Sequence, residues 1–380
     1  MYLYENSVIT DDVLSKAILA NKQLYNYFES SYGKLKPKNY CGFLSLEGND
    51  YFIIPKINER DDTKNLDTFL YMLMYAYDVK LSHEALAGYD THKHRFLEVF
   101  IRMFADGLLD EFKRGVFKQY VTMQENLKVL RGKYMFERDF QNFYHQNLYC
   151  EYDEFSMDNA LNRFFLYAIR QFKKVSNYPN LSRCEQILDD VAYFNVDIKR
   201  TNIRFDRMNI RYQKSFEIAE MLLQRFVPLT SRSGQKSFAF LFDMAEVFEK
   251  FVGRLYKEID PTAKLQAQKN FGSLQLKPDI VTNSMIVDTK YKLVNNRDDL
   301  STQDKYQMFA YGVNFGIRDV MLLYPKHQVK VYENLELGKG DDVVRLKMRS
   351  LDLSVNGEFG MYVSEIRKRV EELKSGLQTI

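Results

Sequence analysis

Residues 278–292 read PDIVTNSMIVDTKYK, and this stretch decides the fold. The spacing predicts a β-hairpin: one strand over 276–282, an Asn283-Ser284 turn, and a second strand over 285–290. Val, Ile and Met suit a half-buried pleated surface, and Asn-Ser suits a tight turn. Asp288 and Lys290 are two apart in a strand, so both side chains leave one face. Hairpin pairing would bring Asp279 alongside Asp288. Two carboxylates beside a lysine suit a hard divalent cation, which takes oxygen ligands, water and substrate phosphate. A bound cation acidifies water and offsets phosphate charge, and the lysine adds positive charge where the transition state becomes negative. Alone, an Asp-x-Lys tripeptide is usually a solvated ion pair. Here the apolar second strand and the helical patterns on either side argue for a buried element with charges at its end.

Composition bounds the rest. The chain has 380 residues, enough for two or three domains with cores, and its 46% hydrophobic content fits a folded protein. No apolar run approaches the length of a membrane span, and the start, Met1-Tyr2-Leu3-Tyr4-Glu5, does not read as a secretory signal. Three widely separated cysteines, Cys41, Cys150 and Cys184, argue against a disulfide scaffold and for a reducing cytoplasm. The net charge of +3 is too mild to mark a nucleic-acid binder by itself. Gly234-Gln235-Lys236-Ser237 lacks the earlier glycine of a phosphate loop, so any nucleotide belongs to another chain.

Residues 1–60 read as short strands around a helical pattern over 11–28. Helices are expected over 65–77 and 92–112, with Gly115 as a cap. His92-x-His94 opens the second of these; with no third soft ligand nearby it reads as an exposed helix start rather than zinc. Residues 129–143 suggest a strand or strand-loop hinged at Gly132. A helix follows over 158–175, with Asp158 as N-cap. Residues 197–214 place Arg204, Arg207, Arg211 and Lys214 near one side if helical, either a DNA-phosphate face or a solvated one. The Pro-, Gly- and Ser-containing stretch 226–237 is the best boundary. Beyond it, 238–256 reads as an amphipathic helix carrying Glu246 and Glu249. A helix over 301–311 sets Gln307 and Tyr311 one turn apart. Strands over 320–324 and 343–353 and a helix over 359–373 close an α/β order with a mixed central sheet.

Pro278-Asp279 with Asp288-Thr289-Lys290 resembles the PD-(D/E)xK nuclease signature. More narrowly, Asp288-Thr289-Lys290-Tyr291-Lys292 followed by Asp304-Lys305-Tyr306-Gln307-Met308-Phe309-Ala310-Tyr311 resembles the McrC-type subunit of the 5-methylcytosine, modification-dependent restriction system. Leu130-Arg131-Gly132-Lys133, the stretch from Tyr152 to Arg163 (YDEFSMDNALNR) and Phe112-Lys113-Arg114-Gly115 resemble the same family. The likeness runs from about 65 to 325; the first 60 residues align loosely.

The resemblance implies an N-terminal mixed α+β partner-docking domain (1–155), a helical segment (156–235) and a PD-(D/E)xK endonuclease core (236–380). It implies Mg²⁺, with Mn²⁺ as substitute, held by Asp279, Asp288 and the Thr289 carbonyl. Lys290 would position water and stabilise the phosphate, with Glu249 and Gln307 as helpers. The family's activity is cleavage of double-stranded DNA carrying modified cytosine, in the cytoplasm, with a GTP-hydrolysing AAA+ ring (McrB-like) whose GTPase is stimulated. The Arg131-Gly132-Lys133 neighbourhood would dock on that ring. Two other readings stand beside it: a non-catalytic adaptor that activates an AAA+ NTPase, and a stand-alone repair nuclease.

Overall fold

The computed structural model describes residues 1–31, 33–57, 61–78, 95–141, 147–230 and 237–375. Contacts divide the chain into two units: Met1–Thr91 with Val227–Ile380, and His92–Phe226.

The first unit holds two large sheets and, beside them, the two-stranded pairs Phe28–Ser31 with Lys34–Pro37 and Lys269–Phe271 with Leu274–Leu276. One has the order Tyr2–Tyr4, Asn49–Ile54, Tyr40–Leu46, Ser237–Asp243, Phe226–Leu229. Tyr2–Tyr4 pairs parallel with Asn49–Ile54, and Ser237–Asp243 pairs antiparallel with Tyr40–Leu46. Its apolar face closes over Leu14, Ile18, Leu44, Ile53 and Leu241. The second sheet has six strands in the order Lys264–Leu265, Ile280–Val281, Ile286–Thr289, Asp319–Pro325, Val344–Leu351, Tyr332–Leu337. Its middle is parallel, and the hairpin side and the Tyr332–Leu337 edge are antiparallel. Val, Met and Leu fill the parallel strand Asp319–Pro325, as expected of a strand buried on both faces, whereas its neighbour Val344–Leu351 alternates Val344, Leu346 and Met348 with Arg345, Lys347 and Arg349.

Several expected elements change. The predicted helix over 238–256 is a strand, Ser237–Asp243, followed by the helix Met244–Ile259. Asp243 divides them: its carboxylate accepts the Ala245 N–H at 2.9 Å and caps the helix. The run Phe238, Ala239, Phe240, Leu241, Phe242 is apolar at every position, so periodicity could not separate strand from buried helix. The helix expected over 11–28 shortens to Asp12–Leu19 and a 3₁₀ turn, and Phe28 opens a strand instead.

The three segments expected at 1–155, 156–235 and 236–380 differ from this grouping. The N-terminal strands add to the Ser237–Asp243 strand, so residues 1–57 pack with the C-terminal part. Hydrogen bonds between strands ignore sequence distance, which a linear reading of composition does not register.

The second unit packs the helices Arg95–Lys113, Ala160–Phe172, Pro179–Ile187 and Gln213–Arg225 around Phe104, Phe164, Phe165, Phe172 and Tyr212. A three-stranded antiparallel sheet of Gln119–Leu127, Leu148–Ser156 and Lys133–Tyr134 completes it. Asn159, not Asp158, caps its helix by accepting the Asn162 N–H at 3.1 Å. Asp158 instead forms a two-pronged pair with Arg163, at 2.6 and 2.8 Å. Residues 197–214 are largely non-helical, so the four cations do not line one helical face; Arg211 is bound to the Gly115 carbonyl. His92, His94 and Gly234 to Lys236 lie outside the described residues.

Candidate active site

Pro278 and Asp279 enter the short strand Ile280–Val281, which pairs Ile280 with Val287 and Val281 with Ile286. The hairpin is shorter than its sequence suggests. Leu274–Leu276 pairs with Lys269–Phe271 in a separate ribbon, and Thr282 closes the turn by bonding Met285 through both main chain and hydroxyl. Asp279 lies beside the end of the second strand. Its Oδ2 accepts the Thr289 N–H and hydroxyl, each at 2.7 Å.

Asp288 is 2% exposed on the strand Ile286–Thr289. Burial raises its pKa to about 6, with the Asp279 charge adding to the rise and Lys290 opposing it. Lys290 Nζ stands 2.6 Å from Asp288 Oδ2, as period-two geometry requires of side chains on one face. Burial works against the lysine's charge, but the facing carboxylates outweigh it and raise its pKa. Lys290 Nζ also donates to Gln307 Oε1 at 3.0 Å. Gln307 in turn donates to the Tyr311 hydroxyl at 2.9 Å, which donates to the Lys277 carbonyl at 3.2 Å. The helix Thr302–Phe315, capped by Ser301, carries both residues one turn apart.

Glu249 arrives from the helix Met244–Ile259. Burial lifts its pKa to about 7, and repulsion from Asp279 and Asp288 contributes. The structure therefore brings together all the residues singled out: Asp279, Asp288, Thr289, Lys290, Gln307 and Glu249. It adds Gln266, whose amide donates to Glu249 Oε1 and, at 3.3 Å, to Asp279 Oδ1. Nothing in the local sequence, Gln266-Ala267-Gln268, marks that residue; only the pairing of Lys264–Leu265 with Ile280–Val281 delivers it. A second pair, Lys292 with Asp304, sits between the hairpin and the helix.

Among the described residues no group of three or more His, Cys, Asp and Glu side chains converges as a ready metal shell. The donors nonetheless fit a hard cation. All are oxygens, and the buried Asp288 Oδ2 makes no well-aligned hydrogen bond despite the ammonium nearby. Mg²⁺ and Mn²⁺ need only one or two carboxylates beyond water and phosphate.

A mixed α/β chain with an acidic, lysine-bearing sheet end is thus in place, and comparison with known proteins gives it a family. The family model described as McrBC 5-methylcytosine restriction system component matches residues 35–325, and the chain belongs to that family. It is similar to a chain of the refined half-complex from a tetradecameric assembly of Thermococcus gammatolerans McrB AAA+ hexamers with bound McrC. The TM-score is 0.60 at 20% identity, over 98% of this chain and 99% of that one. It also matches a chain of the cryo-EM structure of the Thermococcus gammatolerans McrBC complex, with a TM-score of 0.48 at 25% identity, over 68% of this chain and 87% of that one. No curated protein matches it.

Proposed function

We propose that this protein is the McrC-type nuclease subunit of a modification-dependent restriction complex, with a PD-(D/E)xK core that hydrolyses phosphodiester bonds in double-stranded DNA. The observation that carries this reading is the convergence of Asp279, Asp288, Lys290 and Gln307 at one end of the six-stranded sheet. Asp279 and Asp288 hold Mg²⁺ or Mn²⁺, with the Thr289 carbonyl as a further oxygen. Bound there, the cation supplies an acidified water and positive charge against the scissile phosphate. Lys290 is pinned between Asp288 and Gln307, so its ammonium is already placed where negative charge develops and needs little reorganisation. Gln307 orients Lys290 through its Oε1 and is itself fixed by Tyr311. Glu249, with a pKa of about 7, can take up or release a proton near neutrality.

The partner is an AAA+ ring, like the McrB AAA+ hexamers with bound McrC of Thermococcus gammatolerans; the ring hydrolyses GTP and this chain stimulates that hydrolysis. DNA carrying modified cytosine is the substrate and the cytoplasm the compartment. The neighbourhood of Arg131, Gly132 and Lys133 docks on the ring. Assembled complex carrying Asp288→Ala tests this. We expect DNA cleavage to be lost and NTPase stimulation to be retained. Full cleavage would favour the adaptor reading, and loss of both activities with an unchanged circular dichroism spectrum would refute the division of roles.

A further inference from the structure

Gln266 adopts a left-handed backbone, φ 50°. Residues with a Cβ seldom do so, and such a conformation persists only where its surroundings over-determine it. Here the surroundings are the site. The Gln266 N–H donates to the Asp279 carbonyl at 2.8 Å, continuing the pairing of Lys264–Leu265 with Ile280–Val281 by one residue. Its side-chain amide then reaches two carboxylates at once, Glu249 Oε1 and Asp279 Oδ1. Asp279 has its other oxygen committed to Thr289. Two carboxylates that repel each other are thereby held together by the NH₂ donors of one neutral amide.

We propose that Gln266 is a positioning residue that keeps the cation's place. Its amide holds Glu249 beside Asp279 and gives way when the cation takes the Asp279 oxygen. This rests on the metal-dependent reading above. An amide N–H and a divalent cation compete for the same lone pairs, and the cation, with the greater charge, displaces the amide. Gln266 therefore weakens cation binding while keeping the carboxylates in position.

Two substitutions remove the bridge and spare the backbone. Gln266→Gly has no side chain and tolerates positive φ. Gln266→Asn also tolerates it, and is one methylene too short to span both carboxylates. The experiment is calorimetric titration of Mn²⁺ into the full chain as wild type, Q266G, Q266N and Asp288→Ala. We expect Q266G and Q266N to bind Mn²⁺ about threefold to tenfold more tightly, the scale of one lost competing hydrogen bond. Loosened packing would not produce a gain. We expect Asp288→Ala to lose binding. Equal or weaker binding in both Gln266 variants, with Asp288→Ala silent, overturns the role of Gln266 and leaves the metal site standing. Wild-type binding that survives Asp288→Ala, or no binding in the wild type and in either Gln266 variant, overturns both.

Discussion

Tyr291 donates a 2.6 Å hydrogen bond to Glu5 across 286 residues of chain. It ties the residue next to Lys290 to the end of the first strand of the other sheet. Glu5 also accepts the Lys56 N–H at 3.2 Å and lies 3.9 Å from the Cys41 sulfur. The N-terminal residues are thus part of the scaffold that holds the lysine strand.

Burial pushes the Glu5 pKa from 4.5 to about 7, against the lowering effect of its hydrogen bonds. The folded chain keeps this proton where the unfolded chain has lost it. The stabilisation is complete below about pH 4.5 and disappears as pH rises through about 7. It corresponds to roughly 3 kcal/mol. Glu5→Gln stays neutral throughout, so urea denaturation should show it more stable than wild type at pH 8, by up to that amount, and little changed at pH 5. An unaltered pH slope would rule out Glu5 as its source.

Asp288 and Glu249 both carry raised pKa values, about 6 and about 7. A cation competes with the proton on Asp288 directly, and its charge disfavours the protonated form of the neighbouring Glu249. Mn²⁺ affinity of the chain should rise as pH increases from 5.5 to 8 and should release protons, detectable as a buffer-dependent heat. Glu249→Gln should flatten the upper part of the rise. A profile flat from pH 5.5 to 8 would exclude Asp288 as a ligand and Glu249 as a close neighbour of the cation.

Lys290 is aligned by Gln307, and Gln307 by Tyr311. Gln307→Ala leaves the ammonium mobile and should lower the cleavage rate of the assembled complex by about tenfold to a hundredfold, the scale for loss of a preorganised group. Tyr311→Phe removes only the outer bond and should cost less. Single-turnover cleavage at saturating Mg²⁺ measures both; a larger loss in Tyr311→Phe would reverse the proposed order of support.

Gly132 has φ 68°, and a Cβ there would lie 2.4 Å from the Glu151 carbonyl oxygen. The neighbouring Arg131 guanidinium covers the Tyr152 ring at 3.8 Å. Gly132→Ala should destabilise this sheet by about 1–3 kcal/mol through strain and displaced pairing. Hydrogen exchange of 119–127 and 148–156 reads it directly. If this edge docks on the ring, the same variant should also reduce NTPase stimulation.

The residues 278–292 and 301–311 carry most of the candidate site in their own order. Alternation placed Asp288 and Lys290 on one face, and one helical turn placed Gln307 beneath Tyr311, because both geometries are local and periodic. The family was legible for the same reason: its motifs are short and contiguous. Tertiary structure alone decided the rest. Gln266 meets Glu249 and Asp279 only because an edge strand pairs with the hairpin, and Glu5 meets Tyr291 only because two sheets share one unit. The all-apolar run before Asp243 became a strand because it found a partner in Tyr40–Leu46. Pairing energy is realised between segments far apart in the chain, so no window of sequence contains it.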